Sequence, residues 1–545
     1  MDNKKIKDTL LLPKTDFSLK NTNYLETEKK IRELWEKKQT YQKVLEKNKN
    51  NLSFILHSGP PYANGKLHIG HFLNFLIKDI IIRSRASEGY YTPFLLGWDV
   101  HGLPIEHKMI QVHQGQKVNL RQASHNFALE QVQIQKEQLK KLGLFTDYKK
   151  YYITLDKGYE AEQIRVFGGM VKKSLVYQGF RPIHWSCSHE TALAENEIEY
   201  LEKKDTSLSF KISLVFEFLG KKNISLLVWT TQPWTIPANQ LIAVKKTTTY
   251  ALVSYDNKYL LILESKISLL EKWSGEKLKI EKIFLGEKLL GLTYFHPYQK
   301  DARGHIVDGS DFIKEEEGTG IVHLAPAFGA EDFAVAKKEK LTIECPLEPN
   351  GIFNEQIRAP ELVGKHYLET NSYVIADLEK RNLIIKKEVI SHSYPHDWRD
   401  KSPLIYRLTK QWFIKVEAIK KELLKNIEKL KWHPNWTQEK MQQTISSRSD
   451  WCISRQRKWG VPIPVLYKNN EPILNAEIIN YVAEVVISRG SDCWFDSSIL
   501  LLLREKFPHL IDKETVLGTD VMDVWLDSGV SHWCVLRKGR LNLNL

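Results

Sequence analysis

The alternation of apolar and polar positions predicts a helix, a strand, a loop and a second helix in the first part of the chain. Residues 25–50 carry apolar side chains at helical spacing and predict an amphipathic helix whose apolar side is formed by Ile31, Leu34, Trp35 and Tyr41. Residues 51–57 (NLSFILH) form a short apolar run typical of a strand, and a loop rich in Gly and Pro follows at 59–65. Helical spacing returns over residues 69–87. Strand, loop and helix in this order open a doubly wound α/β domain.

Further along, the pattern changes from helical to β-type and back. Residues 118–175 are rich in Gln, Lys, Leu and Glu and predict helix, whereas residues 205–390 contain short Val, Ile and Leu runs separated by Gly, Asn and Asp. The sequence therefore predicts an α/β fold in which one α/β domain is interrupted by a β-rich insertion. The predicted parts are an N-terminal helical extension (1–50), the first half of the α/β domain (51–199), the insertion (200–395) and the start of the second half (396–545).

Composition narrows the possible classes of protein. The 545 residues are 42% hydrophobic with a net charge of +13, which excludes a disordered chain and permits a polyanionic partner such as RNA, although lysine enrichment from an AT-rich genome explains the same charge. No run approaches the ~18 apolar residues of a membrane helix, so no membrane partner is expected. Five scattered cysteines predict a reducing, cytoplasmic location. Cys187 and His189 are too few ligands for zinc, so no metal site is predicted.

Residues 59–71 (GPPYANGKLHIGH) are the strongest chemical signal in the sequence. Glycine and proline let the backbone approach a ligand, and the loop lies where a strand ends and a helix begins, which favours a bound phosphate. His68 and His71 are three residues apart, so both imidazoles lie on the first helical turn and can donate to phosphate oxygens. The string is neither the GK[ST] loop of P-loop proteins nor the GxGxxG loop of dinucleotide-binding proteins.

This string resembles the HIGH signature of class I aminoacyl-tRNA synthetases, and in particular that of the isoleucyl-tRNA synthetases. The resemblance implies a Rossmann-like doubly wound parallel sheet, incomplete here in its C-terminal half, and interrupted by a β-rich editing insertion. It also implies ATP as a substrate with Mg²⁺, and catalytic roles for His68 and His71. The ATP-binding residues that it implies are Gly59, Pro60, Asn64, His68, Gly70 and His71.

Other strings extend the resemblance to the amino-acid site. In residues 97–108 (GWDVHGLPIEHK) the matching aspartate of the family, here Asp99, holds the substrate ammonium, for which a carboxylate is a suitable partner. Pro60 and Trp525 match positions that line the side-chain pocket, where an apolar wall suits isoleucine. Residues 447–464 resemble a block near the acceptor end of tRNA, and their cations predict a basic patch formed by Arg455, Arg457 and Lys458.

Residues 181–200 and 391–413 resemble the segments that enter and leave the editing insertion of the family. An apolar pocket separates isoleucine from valine by only about 1–3 kcal/mol, a value established for this enzyme family rather than obtained from this sequence, so a second, hydrolytic site is needed. Residues 229–240 (WTTQPWTIPANQ) and 318–333 (GTGIVHLAPAFGAEDF) resemble that site, with Gln232 where the family usually has a third threonine. The implied editing residues are Thr230, Thr231, Asn239, His323 and Asp332, the last holding the ammonium of the misplaced amino acid.

The implied function is that of an isoleucine--tRNA ligase, which activates isoleucine with ATP, transfers it to tRNA(Ile) and hydrolyses valyl-tRNA. The sequence contains no KMSKS string, the second ATP signature of the family. We therefore expect a C-terminally truncated chain that is inactive alone or needs a separately encoded C-terminal half, with residues 537–545 as a frameshifted tail. Alternatives are a valyl- or leucyl-tRNA synthetase-like enzyme, an editing-only hydrolase using residues 200–395, and the non-functional product of a broken gene.

Overall fold

The structure is a computed structural model that describes Thr9 and residues 23–114, 116–299 and 301–537. Within this part the chain forms two compact units. Two predicted segments lie outside the described residues. They are the N-terminal extension before residue 23, of which only Thr9 is described, and the tail after residue 537. The predicted domain boundaries stay predictions. The first unit comprises Met1–Val166, Asn480–Leu502 and Val524–Leu545, and the second comprises Phe167–Ile479 and Leu503–Asp523.

The fold is mixed α/β, and its helices are found in both units. In the described residues no helix is long and apolar enough to cross a membrane. A π-helical turn, Trp533–Arg537, follows the last α-helix. In chain order the α-helices are α1 (Tyr24–Lys38), α2 (Thr40–Asn48), α3 (Ile69–Ser87), α4 (Leu103–Val112), α5 (Leu120–Leu142), α6 (Lys157–Lys172), α7 (Ile267–Ser274), α8 (Ala330–Lys338), α9 (Tyr367–Lys380), α10 (Glu417–Ile427), α11 (Trp436–Ser447), α12 (Ala476–Arg489), α13 (Asp492–Phe495), α14 (Ser498–Lys506) and α15 (Val524–Gly529).

The first predicted helix is divided into two. Residues 25–50 fall in α1 and α2, which are separated at Gln39, whose φ of 49° is left-handed and ends the first helix. Asn23 caps α1 by accepting a hydrogen bond from the Glu26 N–H at 3.3 Å. Tyr41 of α2 is buried, but the predicted apolar side of α1 is not. There the exposed fractions are 40%, 45% and 39% for Ile31, Leu34 and Trp35.

Helix α3 has the predicted bounds, but only one side of it is buried. Phe75, Ile82 and Ala86 face the core of the first unit. The opposite side is apolar and exposed, with 37% to 79% of each side chain accessible. A continuous exposed apolar surface of this kind is typical of a contact surface. Its residues are Ile69, Phe72, Leu73, Leu76, Ile77 and Ile80.

A short parallel sheet lies in the first unit. Strands β1 (Leu96–Trp98) and β2 (Tyr151–Ile153) pair in parallel, as expected for a doubly wound fold. A Cβ at Gly97 would lie 2.0 Å from the Tyr152 ring, so glycine is required where the two strands approach. This packing holds the end of β1, and the residues that follow it, in a fixed position.

The predicted strand at residues 51–57 is wrong. A strand needs a repeated ladder of backbone hydrogen bonds, and this segment makes only one bridge, at Ser53. The Phe54 N–H donates to the Tyr91 carbonyl at 2.8 Å, and the Tyr91 N–H donates to the Leu52 carbonyl at 2.9 Å. The segment nevertheless leads into the loop at 59–65 and then into α3, in the predicted order.

Strands are the commonest regular structure of the second unit, as predicted for residues 205–390. The strands are β3 (Val176–Ser186), β4 (Thr191–Ala192), β5 (Ile198–Ser213), β6 (Ile224–Thr230), β7 (Leu241–Val244), β8 (Thr249–Tyr255), β9 (Lys258–Leu263), β10 (Ile280–Leu285), β11 (Thr293–Phe295), β12 (Arg303–Asp308), β13 (Ile321–Leu324), β14 (Ile384–Asp397), β15 (Ile405–Ile414), β16 (Trp451–Cys452), β17 (Ser454–Arg455), β18 (Leu466–Lys468), β19 (Glu471–Ile473), β20 (Val516–Leu517) and β21 (Val521–Met522). The largest sheet has the strand order β10–β8–β9–β6–β13–β7–β12–β11, and β5 joins it through β6 and pairs with β14. A second sheet has the order β16–β15–β3–β4.

The order of the large sheet brings two distant strings together. β6 ends at Thr230, and β13 lies parallel beside it with Val322 opposite Trp229. His323 follows Val322 on β13, and α8 begins a few residues later. The residues of the two strings therefore meet at one end of the sheet.

A buried ionic cluster in the second unit replaces the predicted basic patch. Arg455 and Arg457 are 1% and 6% exposed. Arg455 pairs with Asp523 at 2.6 Å, and Arg457 lies 3.4 Å from Glu197. The prediction of an exposed patch is wrong for these two arginines, because each is neutralised inside the unit.

Glu197 is the centre of this cluster. Arg399 contacts it at 2.8 Å, in addition to Arg457 and Arg455. Burial alone would raise the pKa of Glu197, but the three guanidinium groups lower it to about 2. The carboxylate therefore remains charged at neutral pH and holds the cluster together.

Candidate functional site

The loop at 59–65 is tied to Asp99 through the backbone. The Ala63 N–H donates to the Asp99 carbonyl at 2.9 Å, and the Asp99 N–H donates to the Pro61 carbonyl at 2.9 Å. A Cβ at Gly59 would meet nothing within 4 Å, so the backbone there is open to an approaching group. Two regions that the sequence pointed to separately, the loop and Asp99, are therefore adjacent in the first unit.

The two histidines of the signature cap helix α3. Nδ1 of His68 accepts a hydrogen bond from the Gly70 N–H at 3.1 Å, and Nδ1 of His71 accepts one from the His68 N–H at 3.4 Å. Because each Nδ1 is an acceptor, the proton of each neutral ring is on Nε2. The ring centroids are 4.0 Å apart. Burial, followed by the neighbouring His68, lowers the pKa of His71, which favours its neutral form.

This arrangement explains the spacing of the signature. The two rings present their Nε2–H groups as donors beside the N-terminus of α3, where the helix dipole also favours an anion. A Cβ at Gly70 would lie 3.0 Å from the His68 ring, so a larger residue would press on that ring. Asn64 lies exposed in the same loop. The site can therefore donate several hydrogen bonds to phosphate oxygens.

Asp99 is a buried carboxyl with two hydroxyl partners. Ser528 donates to Oδ2 at 2.6 Å, and Thr154 donates to Oδ1 at 3.4 Å. Burial, and then the nearby Asp527 carboxylate, raise the pKa of Asp99 to about 8. An ammonium group placed beside Asp99 would stabilise its charged form.

A charged histidine lies between two neighbouring acids. Nδ1 of His101 is 2.6 Å from Asp527, and Nε2 is 3.5 Å from Glu160. Burial would lower the pKa of His101, but these two carboxylates raise it to about 9. His101, Asp527 and Ser528 were not predicted as site residues, although they lie in the strings around Asp99 and Trp525.

The two residues predicted to line the amino-acid pocket have different environments. Pro60 is half-buried in the signature loop. Trp525 lies on α15, three residues before Ser528, and its side chain is 45% exposed. Their roles stay predictions, but both positions belong to segments that also contact Asp99.

A cavity of about 420 Å³ opens in the second unit where β6, β13 and α8 meet. Both strings that predicted the editing site contribute to it. The Ala325 N–H donates to Asp332 at 2.7 Å, and burial raises the pKa of Asp332 to about 6. The carboxylate is therefore charged at neutral pH. Lining residues include Trp229, Thr230, Thr231, Gln232, Thr235, His323 and Asp332.

His323 is neutral and oriented by Thr235. Burial lowers the pKa of His323 to about 4. The Thr235 hydroxyl donates to the Gln232 carbonyl at 2.8 Å and lies 3.1 Å from Nε2 of His323. Because the hydroxyl proton is committed to the carbonyl, Nε2–H is the donor and Nδ1 is an acceptor without a partner among the described residues. This nitrogen is buried and is not exposed to the open cavity.

Asn239 is the predicted editing residue that does not line the cavity. It is fully buried, and its amide donates to the Leu241 carbonyl at 2.8 Å. Its carbonyl accepts a hydrogen bond from the Tyr294 hydroxyl at 2.6 Å. The amide is therefore engaged within the sheet. Thr235 lies in the same string and does line the cavity.

Gln232, the departure from the family pattern, lines the cavity. Its backbone N–H donates to the Thr230 hydroxyl at 3.1 Å, and its side chain amide donates to the Tyr394 hydroxyl at 3.5 Å. The long side chain is thus directed toward β14. Its backbone carbonyl still orients Thr235.

One group of potential metal ligands is present in the described residues. His189, Asp397 and Asp400 have ligand atoms within 4.8 Å of one another. The Ser188 hydroxyl donates to Asp400 at 2.9 Å, so the cluster is cross-linked by protein hydrogen bonds. Cys187 is not a member, and burial raises the pKa of its thiol to about 12.

Comparison with known proteins shows the family of the chain. The family model for "tRNA synthetases class I (I, L, M and V)" matches residues 30–543, and the chain belongs to this family. Curated relatives named isoleucine--tRNA ligase are 41% identical in Acholeplasma laidlawii and 42% identical in Mycoplasmoides gallisepticum. These matches cover 98% and 97% of this chain, but the chain spans only 59% of the length of each relative.

A solved structure also aligns with most of the chain. The structure is the ternary complex of the Agrobacterium radiobacter K84 agnB2 LeuRS with tRNA and LeuAMS. The alignment covers 94% of the present chain and 59% of the matched chain of that complex. The TM-score is 0.40 and the sequence identity is 15%.

Proposed function

We propose that the chain carries the isoleucine-activating site and the editing site of an isoleucine--tRNA ligase. The observation that carries the proposal is the presence of two separate carboxyl groups, Asp99 and Asp332, each suited to an amino-acid ammonium. Asp99 lies beside a phosphate-type loop, whereas Asp332 lines a cavity with His323. The names of the relatives support isoleucine as the amino acid.

In the activation step, an oxygen of the isoleucine carboxylate attacks the α-phosphorus of ATP. A new carboxylate–phosphorus bond forms, the bond to the β-phosphate oxygen breaks, and pyrophosphate leaves with that electron pair. Asp99 holds the ammonium, and the Nε2–H groups of His68 and His71 donate to phosphate oxygens. Mg²⁺ bound to ATP offsets phosphate charge. Positioning and charge stabilisation carry this step, and no general base is assigned.

After activation, the terminal ribose hydroxyl of tRNA(Ile) takes the acyl group and AMP leaves. In the editing step, water attacks the ester carbonyl of valyl-tRNA, and the ribose oxygen leaves and takes up a proton. Asp332 holds the valine ammonium, and His323, positioned by Thr235, lines the wall of the same cavity. Thr230 and Thr231 contribute hydroxyls to the wall of the same cavity.

An editing-only hydrolase is the second candidate function, because the cavity is formed entirely by the second unit.

Isoleucine binding is expected to strengthen as pH rises toward 8. Below pH 8 the Asp99 carboxyl of the free protein holds a proton, which must leave before the carboxylate can pair with an ammonium. The affinity measured by calorimetry should therefore rise by about tenfold per pH unit from pH 6 to 8 and then level off. Release of one proton, seen as a buffer-dependent enthalpy, should accompany binding.

The variant Asp99→Asn removes the charge and should weaken isoleucine binding at every pH, with no remaining pH dependence. Asp496→Asn, at an exposed acid in the same unit, is the matched control and should bind as the unchanged chain does. An affinity that is independent of pH between 6 and 8 in the unchanged chain would contradict this role of Asp99.

A further inference from the structure

A buried ionic network in the first unit attaches helix α15 to the segment that follows β1. Nδ1 of His101 lies 2.6 Å from Oδ2 of Asp527, and their side chains are 2% and 1% exposed. The side-chain amide of Gln163, on α6, donates to Oδ1 of the same carboxylate at 2.7 Å. Both carboxylate oxygens of Asp527 are therefore engaged. We call His101, Gln163 and Asp527 the α15 anchor.

The backbone of α15 is held at the same residue. The Tyr159 hydroxyl, also on α6, donates to the Asp527 carbonyl at 2.6 Å. Helix α15 has 6 residues, and an isolated helix shorter than about 12 residues is marginal in water. The place of α15 in the first unit therefore depends on contacts such as those of the anchor. The anchor in turn determines where Trp525 and Ser528 lie.

The α15 anchor reaches Asp99 from two directions. Ser528 follows Asp527 in α15 and donates to Oδ2 of Asp99 at 2.6 Å. His101 is close to Asp99 in the chain, and its carbonyl accepts a hydrogen bond from the Tyr62 hydroxyl of the signature loop at 2.6 Å. The anchor therefore joins the carboxyl proposed to hold the amino-acid ammonium to the loop proposed to hold ATP.

His101 is a buried cation beside the acids of this network. Its Nε2 lies 3.5 Å from Glu160 of α6, in addition to the contact of its Nδ1 with Asp527. Burial lowers the pKa of His101, but the two carboxylates raise it to about 9, so the ring is charged at neutral pH. Two phenols also face the network, but burial raises the pKa of Tyr152 and that of Tyr159, so both remain neutral.

The charges of the anchor act on Asp99 in opposite directions. Burial, and then the Asp527 carboxylate, raise the pKa of Asp99. The Ser528 hydrogen bond and the charge of His101 lower it. Loss of His101 alone would leave Asp527 without its countercharge beside Asp99. The His101 ring and the Ser528 hydroxyl therefore both favour the carboxylate form of Asp99.

We propose that His101 and Asp527 are positioning residues of the amino-acid site, which hold Ser528 against Asp99 and keep Asp99 available as a carboxylate. Asp527 fixes α15, and the positive charge of His101 offsets the negative charge that Asp527 places beside Asp99. The proposal rests on the proposed activation function for its ligand, an amino-acid ammonium. An anchor with a structural role alone would stabilise the first unit without changing the ionisation of Asp99.

The test follows the ionisation of Asp99 in the full chain without a ligand. Carbon-13 NMR of the chain labelled at the aspartate carboxyl carbons gives the titration, and the Asp99 resonance is the one missing from Asp99→Asn. In the unchanged chain its midpoint should lie near pH 8. In His101→Asn the midpoint should rise by at least about one pH unit, because a positive charge near a carboxylate lowers its pKa by about 1–3 units.

Further variants separate charge from folding. In His101→Asn/Asp527→Asn the midpoint should return toward that of the unchanged chain, because both members of the pair are then neutral and can still hydrogen-bond. Ser528→Ala leaves the ion pair intact and should raise the midpoint, because the lost hydroxyl stabilises the charged form. His113→Asn replaces a partly exposed histidine of the same unit and should leave the midpoint unchanged. Far-ultraviolet circular dichroism checks that each variant is folded.

Isoleucine binding at pH 8, measured by calorimetry, is the second readout. Affinity should fall about fivefold in His101→Asn, as the ionised fraction of Asp99 falls from about a half to about a tenth, and should recover in the double variant. A raised Asp99 midpoint in a chain that binds no isoleucine supports the positioning pair and refutes the activation function. An unmoved midpoint in both His101→Asn and Ser528→Ala overturns the pair, and leaves the activation function standing if isoleucine still binds.

Discussion

Replacing Glu197 by alanine is expected to lower the free energy of unfolding of the chain by about 3–5 kcal/mol, the usual cost of removing one partner from a buried ion pair. Glu197 is 2% exposed and lies within 4 Å of three arginines. Without it, Arg399 and Arg457 lose the carboxylate that compensates their buried charge. Urea unfolding followed by far-ultraviolet circular dichroism measures the change.

Glu199→Ala is the matched control, two residues further along the same strand region. Glu199 pairs with Lys401 at 2.6 Å, but both side chains are nearly half exposed. An exposed pair of this kind contributes less than about 1 kcal/mol. Similar losses of stability in the two variants would contradict the central position of Glu197.

The same cluster sets part of the acid stability. Its neighbours depress the pKa of Glu197 to about 2 in the folded chain, below the ordinary glutamate value. The stabilisation is therefore present above the ordinary pKa and is lost as pH falls toward 2. Glu197→Ala should flatten the dependence of unfolding free energy on pH in this acid range, whereas Glu199→Ala should not.

Replacing Asp332 by asparagine is expected to slow the hydrolysis of valyl-tRNA(Ile) by about a hundredfold. Removing one member of a buried charge pair costs about 2–5 kcal/mol, and a hundredfold lies within this range. Asparagine can still accept the hydrogen bond from the Ala325 N–H, so the start of α8 should keep its shape. The loss would therefore report on the charge that holds the valine ammonium.

Deacylation of radiolabelled valyl-tRNA(Ile) measures this effect, with isoleucyl-tRNA(Ile) in parallel. Glu339→Gln, just after α8 and outside the cavity, is the control with the same change in charge. Hydrolysis by the unchanged chain should also fall below pH 6, where Asp332 becomes protonated. Full activity in Asp332→Asn would remove this residue from the editing reaction.

Local signals in the sequence predicted local structure well. The apolar spacing gave the bounds of α3, and the signature loop lies where the glycines and histidines indicated. The division of the first helix was not predictable in the same way, because Gln39 carries no signal for a left-handed conformation. Residues 51–57 have the composition of a strand, but a strand also needs a partner that forms a ladder, which spacing alone does not reveal.

Long-range partners explain the remaining differences. Arg455 and Arg457 resemble a basic surface in the sequence, but their acids, Glu197 and Asp523, are far away in the chain. Asn239 resembles a cavity residue, yet Tyr294 engages its carbonyl within the sheet. Thr235 could have been found, because it lies in the same string and has the hydroxyl that the chemistry requires. Burial and pairing across the sheet decide these roles, and neither is visible in spacing.

The most direct test of the account is the binding of non-hydrolysable isoleucyl-, valyl- and leucyl-adenylate analogues to the purified chain by calorimetry. We expect the isoleucyl analogue to bind most tightly, at least about fivefold more tightly than the valyl analogue for one additional buried methylene, and Asp99→Asn to weaken its binding. No binding of the isoleucyl analogue to a folded chain, or equally tight binding of the leucyl analogue, would contradict the assignment of an isoleucine-activating site.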